Sequence, residues 1–135
     1  MTHLGVEVIE ARPDLVRLRM PITDRVTQMF GFVHGGATIA LLETAASIGA
    51  MLIADLESEL PFGIESHVSH RKSCKAGYVH GIAQLDHCEK NKQFWDVIAY
   101  DSEGDVMSQG TFVSKIVTKE RFAEIERQRA AAKGD

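Results

Sequence analysis

Gln28-Met29-Phe30-Gly31-Phe32-Val33-His34-Gly35-Gly36, followed by the apolar run from Ala37 to Ala54, is the stretch that decides how this chain folds. The run is long, rich in Ala and Leu, and opened by a Gly pair at a position suited to a helix start, so it predicts one central helix over residues 34–56. Glu43 is its only carboxylate. A helix apolar on nearly all sides is expected to be buried. An ionised carboxylate taken out of water costs several kcal/mol unless it is paired, so Glu43 is expected to be a buried group with a chemical role.

The run is 18 residues long, the lower edge of what crosses a bilayer. Glu43, Thr44, Ser47 and Gly49 interrupt it, no aromatic or basic belt flanks it, and Asp55, Glu57 and Glu59 follow, so a membrane span is set aside. Upstream, Val6, Val8 and the alternation Leu15-Val16-Arg17-Leu18-Arg19-Met20 mark a first strand region over residues 1–20, bent at Arg12-Pro13-Asp14. Downstream, residues 62–117 divide into four segments at Ala76-Gly77, Glu89-Lys90-Asn91 and Ser102-Glu103-Gly104, which predicts a four-strand meander. Residues 119–132 read as an amphipathic C-terminal helix with Phe122 and Ile125 on its apolar side.

The expected fold class is therefore α+β, an antiparallel sheet wrapped around one helix in a single domain over residues 1–135. One layer of strands leaves part of the helix uncovered, so a homo-oligomer is expected. A net charge of -4 argues against non-specific nucleic-acid binding, which needs a basic face. The N-terminal Met1-Thr2-His3-Leu4-Gly5 has neither a basic nor an apolar leader segment, and the expectation is a cytoplasmic protein. Cys74 and Cys88 form no CxxC pair and are expected to be reduced thiols packed as small hydrophobes. No metal is expected: in a strand His67 and His70, three apart, point to opposite faces and cannot chelate together.

The motif from Gln28 to Ala37, continued by Leu41-Leu42-Glu43-Thr44 and Ser47, resembles the signature of hotdog-fold acyl-CoA thioesterases, nearest to the 1,4-dihydroxy-2-naphthoyl-CoA and Arthrobacter-type 4-hydroxybenzoyl-CoA group. The resemblance rests on spacing: Gln six before His34, Glu nine after it, and a hydroxyl four beyond Glu43. Gly63-Ile64-Glu65 with His70 and Arg71, the Leu85-Asp86-His87 loop into Gln93-Phe94-Trp95, and the Asp101 to Gly104 turn extend it over nearly the whole chain.

Thioester hydrolysis needs a donor for the developing oxyanion and a nucleophile or a base for water. Gly35, at the start of the helix, offers its amide with the positive end of the helix dipole behind it. Glu43 is the candidate nucleophile or general base, two roles the sequence does not separate, and Ser47 lies one turn later on the same face. The resemblance implies that Gln28 gives a second hydrogen bond at the carbonyl, that His34 shapes the entrance, and that the site forms between subunits, as dimers or dimers of dimers. Between His67 and Lys92 the cations Arg71, Lys72, Lys75, Lys90 and Lys92 outnumber the carboxylates Asp86 and Glu89. With His70 and Asn91 from this region, Arg71, Lys72, Lys90 and Lys92 are the candidates for holding coenzyme A and its phosphates. The expected reaction is hydrolysis of an aromatic or short-to-medium acyl-CoA, a substrate and not a cofactor. The competing reading is a non-catalytic acyl-CoA-binding module, which would not need Glu43.

Overall fold

A computed structural model describes residues 5–134 of the chain; the first four residues of the expected strand region, with the leader reading, and residue 135 lie outside it. The elements run β1 (Glu7–Arg12), β2 (Leu15–Pro21), α1 (Gly35–Ile53), β3 (Glu59–His70), β4 (Tyr78–Glu89), β5 (Lys92–Tyr100), β6 (Val106–Thr118) and α2 (Lys119–Gly134). All six strands join one antiparallel sheet in the order β1-β2-β4-β5-β6-β3. The sheet lies along α1, which touches every strand and most extensively β4 and β2.

Alternation sets the two faces of the sheet. Val16, Leu18 and Met20 of β2 point into the core, while Arg17 and Arg19 point out and pair across the ladder with Glu10 and Glu7 of β1. On β5, Trp95, Val97 and Ala99 are fully buried against the helix. The Trp95 ring sits where a side chain at Gly49 would be: a Cβ there would lie 2.2 Å from Trp95 Cη2. A second close approach lies over β4, where a Cβ on Gly81 would come within 3.0 Å of Leu41. Glycine at these two positions lets helix and sheet close to packing distance.

One topological expectation is corrected. Residues 62–117 are not a four-strand meander, because β3 pairs with β6 at the far edge and β4, β5 and β6 alone follow one another. The Ala76-Gly77 turn ends a seven-residue connection, 71–77, long enough to cross the sheet. That connection is held by Arg71 and Lys72 amides donating to the Met107 carbonyl, and by the Cys74 carbonyl accepting from Val33 N–H. The other two turns are hairpins as expected. Lys90 takes the left-handed conformation in the tight β4–β5 turn, and Asp101 closes the β5–β6 turn by accepting from the Glu103 and Asp105 amides.

The C-terminal helix forms over the expected residues. Its Phe122 ring stacks on Phe62 of β3 at 5.6 Å, with Ile125 half-buried beside it. Cys74 packs against the core, and burial pushes its thiol pKa up, but Cys88 is exposed at the end of β4 and is no packed hydrophobe.

Candidate active site

The largest departure from the sequence expectations concerns Glu43. It is exposed, not buried, in the single chain. The sheet covers the face of α1 that carries Leu41, Leu42, Ala45, Ala46, Gly49 and Ala50, whereas Glu43, Ser47 and Met51 follow one another at four-residue spacing along the opposite stripe. That one layer of strands leaves part of the helix uncovered was expected, but not that the open face is the one carrying Glu43. By length and hydropathy α1 also meets the criterion for a bilayer span, and in this fold its most apolar face forms the core.

The open stripe meets β3. Glu43, Ala46 and Ser47 share a cleft with Gly63, Ile64, Glu65 and Ser66 of β3 and with Phe112 and Ser114 of β6. Glu65 also lines this cleft, although the sequence reading did not count it among the site residues. The outer edge of β3 has no strand partner among the described residues, and Phe62 and Ile64 on it are exposed.

A second cluster forms at the N-terminus of α1. His34 occupies the cap position in extended conformation, and its side chain makes no capping hydrogen bond. Its carbonyl accepts from Ala37 and Thr38 N–H, so among the described residues the Gly35 and Gly36 amides have no acceptor. These are the orphan donors of a helix start, with the positive end of the helix dipole behind them. Gln28, His34 and Gly35 line one cleft with Phe32, Val33 and Ser73. The Gln28 carboxamide oxygen accepts from the Phe30 amide across a tight turn, and its NH₂ group has no partner among the described residues.

The neighbouring cleft shares Val33, Gly35 and Ser73 and adds Thr38, His70, Arg71, Lys72 and Ser108. His70 faces the helix, as strand alternation from Val68 requires: its Nδ1 lies 2.6 Å from Ser108 Oγ, and its Nε2 would lie 3.1 Å from a Cβ on Gly35. His67 is on the outer face of the sheet with Gln84, Asp96 and Thr111. Ser108, which orients His70, carried no signal in the sequence, since nothing short of the β3–β6 register places it opposite His70.

The expected basic patch divides in two. Arg71 and Lys72 lie at the N-terminal end of α1, while Lys90, Asn91 and Lys92 line a cleft with Ile53 and Ala54 at its C-terminal end, together with Lys115 and Arg121. Arg71 has no ion-pair partner among the described residues. Lys72 bonds to Asp101 at 2.8 Å and to Asp105 at 3.1 Å, and these carboxylates hold its pKa well above the usual lysine value. Its charge is thereby already compensated within the chain. The separation arises because sequence neighbours 71–92 span a crossover and one full strand, which carry the chain from one end of the helix to the other.

A long helix in a curved antiparallel sheet, with free amides at its N-terminus and a carboxylate on its open stripe, defines a class known from other proteins. Residues 30–108 match the family model of the thioesterase superfamily, and the chain belongs to that superfamily. It is 35% identical over 102 residues to the proofreading thioesterase EntH of Cronobacter turicensis, covering 76% of this chain and 74% of that one. With the 1,4-dihydroxy-2-naphthoyl-CoA hydrolase of Listeria monocytogenes it shares 34% identity over 94 residues, 70% of this chain and 76% of the other. Among solved structures, a thioesterase from Staphylococcus aureus superposes with a TM-score of 0.84 at 32% identity, over 87% of this chain and 97% of that one. Two crystal structures of that protein carry substitutions of a glutamate and a glutamine fifteen positions apart, the separation of Gln28 and Glu43 here (43 minus 28). The fold is the hotdog fold, and the chain is a thioester hydrolase by family.

Proposed function

We propose that this protein hydrolyses an acyl-CoA carrying an aromatic or short-to-medium acyl group, in the cytoplasm, at sites shared between two copies of the chain. The observation that carries the reading is the division of the site residues. Gly35 and Glu43 lie eight residues apart on one straight helix, roughly 12 Å along its axis at about 1.5 Å per residue. A carbonyl held at the Gly35 amide is therefore out of reach of Glu43 on the same chain. Both clusters open onto surface the chain leaves uncovered, where exposed apolar residues gather: Met29 is 90% and Phe30 71% exposed, with Met51, Leu52, Phe62 and Ile64 also in the open. A second copy pairing along the free edge of β3 buries these residues and brings Glu43 of one chain toward Gly35 and Gln28 of the other.

In this arrangement the Gly35 amide and the Gln28 NH₂ donate to the thioester oxygen and stabilise the negative charge that grows on it. Glu43 acts on the carbonyl carbon, by direct attack to give a mixed anhydride or by taking a proton from water, and Ser47 orients the carboxylate or that water. Water is added across the C–S bond, giving a carboxylic acid and the coenzyme A thiol. His34 borders the entrance, and His70 and Arg71 lie beside it. Lys90, Asn91 and Lys92, with Lys115 and Arg121 near them, form the stronger of the two candidate sites for the coenzyme A phosphates, because Lys72 is already paired.

Thiol release from a panel of acyl-CoAs tests the reading. Wild type turns over, and Glu43→Ala and Glu43→Gln both lose nearly all activity while still binding substrate. Variants that hydrolyse as fast as wild type would make Glu43 structural and the mechanism wrong.

A further inference from the structure

The buried contact between Ser108 and His70 fixes more than the position of a ring. Ser108 is 1% exposed, and among the described residues its hydroxyl has a single hydrogen-bond partner, His70 Nδ1 at 2.6 Å. A buried hydroxyl hydrogen left without an acceptor costs about 1–3 kcal/mol. Here the acceptor at hand is Nδ1. For Nδ1 to accept, the neutral imidazole must carry its proton on Nε2. Nε2 is the nitrogen that faces the start of α1, 3.1 Å from where a Cβ on Gly35 would stand.

We infer that Ser108 is a positioning residue that holds His70 as the Nε2–H tautomer, so that His70 presents a third hydrogen-bond donor to the space before the Gly35 amide. The thioester carbonyl, or the first amide of the pantetheine arm behind it, is the group that this donor meets. The inference rests on the thioesterase reading for its consequence but not for its geometry. Glycine at position 35 belongs to the same design, since any side chain there would push against the imidazole and turn Nε2 away.

The test has two arms. In the first, ¹⁵N-histidine-labelled wild type is examined by long-range ¹H–¹⁵N correlation in alkaline buffer. The neutral ring is expected as Nε2–H, with Ser108→Ala moving it toward the Nδ1–H form and Ser108→Thr keeping it. In the second, thiol release by Ser108→Ala is expected to show kcat lowered about tenfold, with KM within about twofold of wild type and most of the loss recovered in Ser108→Thr. An Nδ1–H ring in an active wild-type enzyme overturns the inference alone, as does a folded Ser108→Ala variant with undiminished kcat. A wild-type protein that holds the Nε2–H form yet releases no thiol from any acyl-CoA overturns the thioester reading instead.

Discussion

Gly35 and Glu43 stand eight positions apart on the same helix, one at its first turn beside free amides and the other on its open stripe beside β3. A site that needs both must draw them from different chains. Mixing therefore separates a shared site from a self-contained one. Glu43→Ala and Gln28→Ala are each expected to be nearly inactive alone, and co-expression is expected to restore about a quarter of wild-type activity, because random pairing makes half the dimers mixed and leaves one intact site in each. No recovery in protein shown to contain mixed dimers, or full activity in a strictly monomeric wild type, would refute the shared site.

Gly49 carries the packing of α1 on the sheet. Replacing it with Ala improves helix propensity by about 1 kcal/mol, but the added methyl enters the Trp95 ring at 2.2 Å. Overpacking of this kind costs about 1–3 kcal/mol, so the balance is expected to favour wild type. The urea midpoint of Gly49→Ala should fall, and the emission of Trp95, the only tryptophan in the chain, should shift in the folded state. Equal or greater stability with unchanged emission would mean that the ring yields freely.

Asp101 links the β5–β6 turn to the crossover loop. The Lys72 ammonium at 2.8 Å, aided by the Asp105 and Glu103 amides, holds its carboxyl below the ordinary aspartate value. A carboxyl depressed in the folded state stabilises the fold fully above its unfolded pKa of about 3.9 and loses that contribution as pH falls through the lower folded value. Asp101→Asn should thus have a lower urea midpoint than wild type at pH 7, with the gap closing as pH falls from 4 toward 2. A gap that does not change with pH would assign the effect to the turn's hydrogen bonds alone.

The cleft at the C-terminal end of α1 gives a kinetic prediction. Lys90 and Lys92 touch none of the groups placed at the thioester, so removing both should weaken binding without altering chemistry. Lys90→Ala/Lys92→Ala is expected to raise KM for acyl-CoA by about tenfold at low salt with kcat retained. The ratio to wild type should shrink near 1 M salt, where the screening length is about 3 Å. A fall in kcat with KM unchanged would place these lysines elsewhere in the cycle.

The sequence by itself determined the elements and the chemical set. Period-two alternation wrote β2, turn residues on either side bounded β5, the Gly pair after His34 marked the start of α1, and the distances among Gln28, His34, Glu43 and Ser47 carried the family. These are local properties, fixed by residues near one another along the chain. What sequence could not supply was anything decided by register or by which surface stays open. The place of β3 beside β6, the division of the basic residues between opposite ends of the helix, and the contact of Ser108 with His70 all depend on pairings across the sheet. The exposure of Glu43 belongs with them, for a physical reason: composition tells how apolar a helix is, whereas burial depends on how many of its faces other elements cover, and the strands of this chain cover one.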